Sequence, residues 1–335
     1  MVEDLASRIE RLASVGSTND VARERLRAGS GAVGAHAADA DAAGADAAGA
    51  DVSGADAAPA VVVVADEQTA GRGRDGRTWT APPGRALLCS LGFRPIWLAP
   101  TDAWRLAATV SLAMADAAEE VAGLREGTIR LKWPNDLVVE TEVAAPGSDG
   151  AALEPPADRP RVAALPPPPP SVAPGAHLPI AAVRKLGGVL GETAGLGTAH
   201  PEVVVGIGVN ADWAAADFPP ELAATMTSLR EVAGGRPVDR DALLDAFLDR
   251  LDVRLLALRD GRFDGAAWLA RQLTNGRLVR LELPDGTVEV VRAAGVDPRT
   301  GALLVTDPDA TGPDAGSERP VTVGEIVHLR LGTGV

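Results

Sequence analysis

Three glycines alternate with three arginines in residues 68–79, whose sequence is QTAGRGRDGRTW. Guanidinium groups donate paired hydrogen bonds to carboxylates and phosphates, and glycines let backbone N–H groups approach the same anion. The pattern therefore predicts an anion-binding segment, here called the glycine–arginine loop. It lacks the Gly-Lys-Ser/Thr ending of a P-loop, and its glycines do not fit the dinucleotide-binding spacing. An RNA-binding arginine–glycine segment and an ordinary surface turn are the alternatives that this loop alone leaves open.

Lysine is rare in this chain. Only two of the 32 basic residues are lysines, Lys132 and Lys185. Compositional drift towards arginine replaces a surface lysine at little cost, so a retained lysine indicates a site that needs a compact ammonium. Lys132 opens the motif KWPND, which ends in the carboxylate of Asp136. An ordinary turn explains the proline and the aspartate but not the lysine. Lys185 opens KLGGVLGE, a glycine-containing strand against which a ligand can lie.

Two further polar segments lie at the ends of predicted elements. GSTND at 16–20 begins a predicted helix, where Ser17 or Thr18 can cap the first turn. GIGVN at 206–210 ends a predicted strand with Asn210, whose amide is suited to reading a base or ribose edge. A strand-end turn asparagine is an equally good interpretation of Asn210.

Hydrophobic patterning predicts the elements that position these motifs. Residues 61–65 are β-branched and apolar on both faces, which predicts a central strand. The other predicted strands are 86–93, 129–133, 137–139, 183–192 and 203–209. The predicted helices are a short one that stops near Gly29, a long one over 103–124, one that Asp239 caps and Gly261 ends, and one over about 263–273.

The last sixty residues change character. The runs 278–283 and 287–291 flank Pro284-Asp285-Gly286, which is a hairpin signal, and further short strands are predicted at 302–305 and 325–329. Short strands at close spacing predict a small barrel of the SH3 kind. We therefore expect two domains, 1–273 and 274–335. Packing against the larger domain and contact with a substrate are both open as roles for the smaller one.

Three low-complexity segments carry most of the negative charge. Residues 30–60, 140–179 and 307–320 have formal charges of −5, −3 and −3, against −14 for the whole chain. Aspartates recur every five residues from 41 to 56, a period of neither helix nor strand, and 166–170 are all proline. We interpret residues 30–60 and 141–180 as surface insertions within the larger domain. The near-neutral remainder argues against a nucleic-acid surface.

Composition also indicates the cellular compartment of the protein. Cys89 is the single cysteine, which excludes an intramolecular disulfide and a cysteine-rich zinc site. The N-terminal residues mix charges without a signal-peptide core, and no apolar run approaches the roughly 20 residues that span a bilayer. We therefore expect a soluble cytoplasmic protein that does not act at a membrane.

Five motifs follow one another over residues 16–210: GSTND, QxxGRGRxGRxW, KWPNDL, KLGGVLxE and GIGVN. Each is weak alone, but together and in this order they resemble the biotin protein ligases, and the C-terminal module is similar to that family's SH3-like domain. The resemblance implies an α+β fold: a class II aminoacyl-tRNA synthetase-like, biotin–lipoate ligase catalytic domain followed by a small SH3-like β-barrel. It also implies that biotin and ATP, with Mg²⁺, form biotinyl-5′-AMP, from which the acyl group passes to one lysine of a biotin carboxyl carrier domain.

The resemblance carries roles onto particular residues. Lys185, Asp136, Arg72 and Lys132 are expected to take part in catalysis, with Asp136 as a metal ligand or a base. The ligand-binding expectations fall into four groups: the biotin ureido head (Ser17, Thr18, Asn19, Gln68), the loop over the carboxylate and phosphate (Gly71, Arg72, Gly73, Arg74), the nucleotide (Trp79, Asn135, Asn210) and the acyl-phosphate and metal region (Lys132, Asp136, Lys185, Gly188).

The expected chemistry needs such residue types. A carboxylate that attacks ATP is repelled by it, so fixed cations and Mg²⁺ must screen the repulsion. The mixed anhydride hydrolyses if water reaches it, which a loop that orders over bound ligand prevents. Ordering costs roughly 1–2 kcal/mol of backbone entropy per residue, so we expect the loop to be open without ligand. In the second step either Asp136 or the neighbouring cations promote deprotonation of the acceptor lysine.

The chain departs from the family pattern in two places. The stretches before residue 61 and between Asp136 and Lys185 are longer than the family needs. Only 16 residues precede Ser17, too few for the DNA-binding domain of some members, so we expect no DNA partner. A lipoate or octanoate ligase of the same superfamily and a non-catalytic biotin- or nucleotide-binding sensor are the alternatives. An RNA-binding role is disfavoured because no aromatic residues interleave with the basic ones.

Overall fold

A seven-stranded sheet forms the centre of the larger part of the protein. The computed structural model describes residues 9–37, 59–142, 181–311, 316–322 and 325–329. The order in the sheet is β1-β2-β3-β7-β6-β5-β4, in which β1 and β2 are parallel and all other neighbours are antiparallel. The strands are β1 (Ile9–Val15), β2 (Val61–Gln68), β3 (Ala86–Phe93), β4 (Ile129–Lys132), β5 (Asp136–Glu142), β6 (Ala181–Ala194) and β7 (Glu202–Asn210).

The predicted strands are all present, with two corrections. The run at 61–65 lies in β2, which is second from one edge of the sheet and is not central. Its outer neighbour β1 was not predicted, because none of the residues of this edge strand is fully buried and its sequence, IERLASV, has no continuous apolar run. The central position belongs to β7, which is flanked on one side by β3, a strand whose eight residues are all buried.

Helices cover both faces of the large sheet. They are α1 (Thr18–Ala37), α2 (Trp104–Val121), α3 (Pro220–Ala223), α4 (Leu229–Val232), α5 (Arg240–Arg259) and α6 (Gly265–Arg271). On one face, Ala22 and Leu26 of α1 pack against Val63 and Val204. The larger core lies on the other face, where α2 and α5 pack over the sheet. The helix α1 therefore shields one side of the sheet only near β2, β3 and β7.

Helix ends agree with the capping signals in one case and not in another. Asp239 caps α5 by accepting hydrogen bonds from the N–H groups of Asp241 and Ala242, and Gly261 follows the helix with a φ of +76°. The expected stop of α1 near Gly29 is wrong, because the helix continues to Ala37. A glycine costs only about 1 kcal/mol relative to alanine in a helix interior, so Gly29 by itself does not end the helix.

A second, smaller sheet follows the helices. Its five antiparallel strands have the order β11-β10-β9-β8-β12 and comprise β8 (Leu278–Glu282), β9 (Val288–Val296), β10 (Leu303–Thr306), β11 (Arg319–Val321) and β12 (Glu325–Leu329). The expected hairpin joins β8 to β9, where Gly286 has a φ of +83°. The segment 307–320 was expected to be low-complexity throughout, yet its last two residues belong to β11.

The remaining compositional expectations concern the insertions, the thiol and the membrane. Residues 38–58 and 143–180 of the two expected insertions lie outside the described residues. Cys89 is buried in β3, and burial raises the pKa of its thiol to about 12, so the group stays protonated at neutral pH. Of the helices that the structure describes, none combines the length and hydropathy needed to cross a bilayer.

The small sheet is attached to the large one through the KWPND motif. The indole N–H of Trp133 donates a 3.1 Å hydrogen bond to the carbonyl of Gly301, in the turn between β9 and β10. Gly301 has a φ of +74°, and a Cβ there would lie 2.8 Å from the Trp104 ring. Trp104 in turn packs edge-on against Phe263, with ring centroids 5.3 Å apart. The turn that carries Asp136 is therefore supported from behind by the small sheet.

Arg271 joins three elements beneath the sheet. Its guanidinium donates hydrogen bonds of 2.9 and 2.8 Å to the carboxylate of Glu119 and one of 2.6 Å to Asp116, both in α2. It also donates to the carbonyl of Ile129 in β4. Glu119 and Arg271 are only 4% and 8% exposed, so each charge depends on the other for compensation.

We expect Arg271→Ala to lower the free energy of unfolding by about 3–5 kcal/mol, because it leaves the Glu119 carboxylate buried without its partner. Urea denaturation followed by circular dichroism measures the change. The control is Arg262→Ala, which removes an exposed ion pair with Asp260 and should cost at most about 1 kcal/mol. Equal losses in the two variants would contradict this account of Arg271.

Candidate active site

A cavity of about 560 Å³ opens on the face of the sheet that carries α1 and the glycine–arginine loop. Its walls come from the start of α1, the loop after β2, the turn between β4 and β5, the strands β6 and β7, and residues 222–226. The residues singled out from the sequence that line it are Ser17, Thr18, Asn19, Gln68, Arg72, Gly73, Arg74, Trp79, Lys132, Asn135, Asp136, Lys185 and Gly188. Motif residues up to 191 positions apart in sequence, from Ser17 to Gly208, thus meet in one place.

One end of the cavity is a cluster of neutral polar groups, here called the polar cluster: Thr18, Asn19, Gln68 and Ser90. The Gln68 side-chain carbonyl accepts from the backbone N–H and the hydroxyl of Thr18, at 2.8 and 3.0 Å. The Ser90 hydroxyl lies 2.7 Å from the Thr18 hydroxyl and 2.6 Å from Asn19 Oδ1. Because these groups are buried or partly buried and joined to one another, their orientations are set before any ligand binds.

Glycines on β7 make room for two of the cavity's side chains. A Cβ at Gly206 would lie 2.2 Å from Asn19 Oδ1, and a Cβ at Gly208 would lie 2.9 Å from the Trp79 ring. The Trp79 ring is therefore packed directly against the backbone of β7 at Gly208, and its indole N–H is buried without a hydrogen-bond partner among the described atoms. The strand glycines thus have a steric role at this site.

The base of the glycine–arginine loop is closed by a short backbone bridge. The N–H of Trp79 donates to the carbonyl of Gly71 at 2.9 Å, and a Cβ on Gly71 would lie 2.4 Å from the Trp79 carbonyl oxygen. Gly71 does not line the cavity but shapes the loop that does. Within the loop, the N–H of Gly73 donates to the carbonyl of Arg77 at 2.7 Å. The structure shows a folded loop, and its opening without ligand stays a prediction.

The two lysines meet at one carboxylate, forming what we call the charge cluster: Lys132, Asp136 and Lys185. Asp136 Oδ1 lies 2.6 Å from Lys185 Nζ, and its Oδ2 lies 3.4 Å from Lys132 Nζ. The β4–β5 pairing places Lys132 opposite Asp136, and the β5–β6 pairing places Gly188 opposite Asp136. A Cβ at Gly188 would lie only 3.4 Å from Lys185 Nζ, so the glycine leaves the ammonium accessible from the cavity.

Backbone contacts hold the charge cluster in place. Asn135 is bonded to Val189 in both directions: its side-chain amide donates to the Val189 carbonyl at 2.7 Å, and its carbonyl accepts from the Val189 N–H at 2.9 Å. Arg184, next to Lys185, donates to the carbonyls of Ala223 and Met226 and forms an ion pair with Glu231. These contacts fix the β4–β5 turn and residues 220–228 against β6.

Asn210 lies away from the cavity, unlike the other residues expected near a nucleotide. It is fully buried at the end of β7, and its amide donates to the carbonyl of Thr227 at 3.0 Å. The chain after β7 folds back over the strand end and covers this side chain. The side-chain oxygen of Asn210 is buried without a hydrogen-bond partner among the described residues, and the expected role near a nucleotide stays a prediction.

Sequence reasoning assigned no role to three polar residues that contact the site: Asp20, Ser90 and Glu192. Ser90 is a fully buried hydroxyl in an otherwise apolar strand, an anomaly that could have been noticed. Asp20 and Glu192 were visible inside two of the motifs, but their partners could not be inferred. Glu192 accepts from the Asn19 amide at 2.6 Å, and Asp20 is held by Arg72. The hydrogen bonds from Arg72 hold the pKa of the Asp20 carboxyl below its usual value, so the pair is ionised at neutral pH.

The charge cluster offers a divalent cation one carboxylate, that of Asp136. Within the described ranges no group of three or more His, Cys, Asp or Glu side chains is placed to hold a metal. Asp136 is already contacted by two ammonium groups. Mg²⁺ is commonly bound through one or two carboxylates together with substrate phosphates and water. The residues present therefore fit a cation that arrives with a phosphorylated substrate better than a permanently bound one.

Comparisons with known proteins identify the family. Residues 51–210 match the sequence model of the biotin/lipoate A/B protein ligase family. The chain is 30% identical over 273 residues to the biotin–[acetyl-CoA-carboxylase] ligase of Mycobacterium tuberculosis, covering 81% of this chain and 79% of that protein. It is 29% identical to the bifunctional ligase/repressor BirA of Bacillus subtilis, over 73% of this chain and 62% of that protein. The chain belongs to the biotin protein ligase family.

A solved structure shows the same fold. The biotin protein ligase of Aquifex aeolicus, in complex with biotin and ATP, superposes with a TM-score of 0.60 at 21% sequence identity, covering 96% of this chain and 98% of that one. The α+β ligase fold with a separate small antiparallel sheet at its C-terminal end is thereby confirmed.

We expect Gly206→Ala to lower the free energy of unfolding by about 1–3 kcal/mol, because the new methyl displaces the buried Asn19 amide from its hydrogen bonds. Thermal unfolding by differential scanning calorimetry measures the loss. Gly295→Ala is the matched control, since it is also a strand glycine and a Cβ there meets no atom within 4 Å. A stability of Gly206→Ala equal to that of Gly295→Ala would show that the contact with Asn19 is unimportant.

Proposed function

We propose that this protein activates biotin with ATP to biotinyl-5′-AMP and then transfers the biotinyl group to one lysine of a biotin carboxyl carrier domain. The name of its mycobacterial relative, biotin–[acetyl-CoA-carboxylase] ligase, describes that protein as a ligase of biotin and a carboxylase. The observation that carries the proposal is the composition of the cavity, which has the neutral polar cluster and, also on its walls, the two lysines of the charge cluster. A bicyclic urea needs neutral hydrogen-bond partners, and a carboxylate reacting with a polyphosphate needs cations.

In the first step, a carboxylate oxygen of biotin attacks the α-phosphorus of ATP and pyrophosphate leaves. Thr18, Asn19 and Gln68 hold the ureido head, with Ser17 beside them. Lys185 and Lys132 reduce the repulsion between the two anions, and Gly188 lets the acyl-phosphate approach the backbone beside the Lys185 ammonium. The loop residues Gly71, Arg72, Gly73 and Arg74 cover the reacting groups and exclude water from the mixed anhydride.

The nucleotide lies on the Trp79 side of the cavity. Trp79 lines the cavity, and its buried indole N–H has no protein partner among the described residues. Asn135 acts indirectly, because its hydrogen bonds to Val189 fix the β4–β5 turn on β6. Mg²⁺, when it binds with ATP, neutralises phosphate charge, and Asp136 is the residue that would hold it.

In the second step, the amine of the acceptor lysine attacks the acyl carbon and AMP leaves, so the amine must lose a proton. An unperturbed lysine has a pKa of about 10.4, which leaves on the order of one molecule in a thousand neutral at pH 7. Asp136 is placed to accept that proton if a bound substrate draws away one of its two ammonium partners. Two ammonium groups near the same point also favour a neutral amine.

We extend the proposal to the whole chain. The larger part, residues 1–273, is a catalytic domain of the class II aminoacyl-tRNA synthetase-like kind, and residues 274–335 form an SH3-like barrel from the five strands of the small sheet. The single buried thiol supports a location in the reducing cytoplasm.

The test is incubation of the protein with ATP, Mg²⁺, biotin and a biotin carboxyl carrier domain, followed by mass spectrometry of the carrier. We expect one carrier lysine to gain a biotinyl group. An excess of lipoate should not compete with biotin in ATP–pyrophosphate exchange. Transfer of lipoate or octanoate would replace the proposal with the related ligase activity, and binding without exchange would replace it with a sensor.

Lys185→Arg should lower biotin-dependent pyrophosphate exchange by about 10²-fold or more, because a planar guanidinium cannot replace the compact ammonium 2.6 Å from Asp136. Arg11→Lys, a conservative change at the surface pair with Asp241, is the control and should keep normal exchange. Normal exchange by Lys185→Arg would remove this lysine from the mechanism.

Self-biotinylation should be minor, because both lysines of this chain contact Asp136 and drift has left no other lysine for the acyl-adenylate to modify. The measurement is peptide mass spectrometry after prolonged incubation with ATP and biotin in the absence of carrier. Extensive acylation of Lys132 or Lys185 would contradict this prediction.

A further inference from the structure

The cation at the start of the glycine–arginine loop is already paired with carboxylates of the protein. Arg72 donates a bidentate pair of hydrogen bonds to Asp20, at 2.6 and 2.7 Å, and its Nη2 lies 3.5 Å from both carboxylate oxygens of Glu192. Asp20 belongs to α1 and Glu192 to β6. Fork-to-carboxylate pairing of this kind is strong and directional, so it fixes the position of the arginine as well as its charge.

Asp20 and Glu192 are themselves part of a wider network. Arg23 contacts both carboxylates, with its Nη1 3.2 Å from Asp20 and its Nη2 3.0 Å from Glu192. Glu192 also accepts from the amide of Asn19, a member of the polar cluster. The site where Arg72 is bound is therefore continuous with the group of side chains that we assign to the biotin head.

Two roles for Arg72 predict opposite effects of its partner Asp20. If Arg72 is a counter-charge for the ligand, Asp20 competes with the ligand for the guanidinium, and its removal should improve binding. If Arg72 anchors the loop, Asp20 supports binding, because the apparent affinity scales with the fraction of molecules whose loop is closed. The bidentate hydrogen bonds to Asp20 and the nearby carboxylate of Glu192 favour the anchoring role, because two protein anions already compensate the positive charge of Arg72.

We propose that Asp20 and Glu192 form an anionic receptor for Arg72 that holds the glycine–arginine loop closed over the cavity. Arg72 is then a positioning residue, whereas Lys132 and Lys185 supply the charge that faces the substrate. Glycine-rich loops lose much conformational entropy on ordering, and the receptor offsets part of this loss before biotin binds. The proposal therefore predicts a loop that is largely closed without ligand, in place of the open loop expected from the sequence alone. The kinetic form of this inference rests on the proposed biotin ligase function.

The kinetic test compares Asp20→Asn, Arg72→Gln and the double variant in biotin-dependent ATP–pyrophosphate exchange. We expect each single change to raise the KM for biotin by about tenfold, and Asp20→Asn to keep kcat within about threefold of the parent, because saturating biotin still closes the loop. The double variant should be no worse than the more affected single one, since both changes break the same contact. An unchanged or lower KM in Asp20→Asn, or effects that multiply in the double variant, would overturn the proposal.

The control is Glu10→Gln, which breaks another bidentate carboxylate–arginine pair, between Glu10 of β1 and the same helix α1. Arg25 of α1 donates to Glu10 at 2.8 Å through both Nε and Nη2, and neither residue lines the cavity. The KM for biotin in this variant should equal that of the parent. A rise matching that of Asp20→Asn would assign the effect to helix stability and would also overturn the proposal.

A second measurement does not depend on catalysis. The loop contains tryptic sites at Arg72, Arg74 and Arg77. We expect Asp20→Asn to speed cleavage within residues 72–77 about tenfold relative to the parent and to Glu10→Gln, because an open loop is a protease substrate. If the parent protein lacks exchange activity and Asp20→Asn is still cleaved faster than the parent, the receptor is supported and the ligase function is rejected. If the parent is active and Asp20→Asn is cleaved at the parental rate, the receptor alone is rejected.

Discussion

The contact on which the site depends is the carboxylate of Asp136 held between the ammonium groups of Lys132 and Lys185. Two cations do not stay close together at a partly buried place without an anion between them. Asp136 supplies that anion, and it stands at the junction of β4, β5 and β6, so the three side chains can meet only if these strands pair in the observed register. Asn135 and Arg184 then secure the two flanking segments by bonds to backbone carbonyls.

The sheet face that carries these residues also forms the floor of the cavity, and glycines along it let other side chains approach the backbone. Gly188, Gly206 and Gly208 lie beside one another on β6 and β7, where the amide of Asn19 and the ring of Trp79 approach the backbone directly. The opposite face carries the large core under α2 and α5, which supports these weakened strands. The small sheet adds support through the hydrogen bond from Trp133 to Gly301. The packing that stabilises these strands thus lies behind the cavity, and the glycines lie on the cavity side.

Much of the fold was predictable because continuous apolar runs and caps are local signals. The strand at 86–93 and the helix between Asp239 and Gly261 agree with the structure. The edge strand β1 and the three-residue strand β11 escaped prediction, since their pairing depends on distant neighbours and their side chains are largely exposed. The helix α1 was predicted too short because a glycine was taken as its end, whereas glycine lowers helix stability only modestly.

The sequence by itself determined which chemical groups this protein has available: two retained lysines, a glycine–arginine loop and a set of neutral polar side chains, in the order of a ligase family. Only the tertiary structure decided which groups touch. It paired Arg72 with Asp20, 52 residues away, and placed the apolar strand's hydroxyl, Ser90, within the polar cluster. It also buried Asn210 beneath Thr227, outside the lining of the cavity. Residue type sets what a side chain can do, whereas its partner is set by contacts between distant segments, which local sequence patterns do not contain.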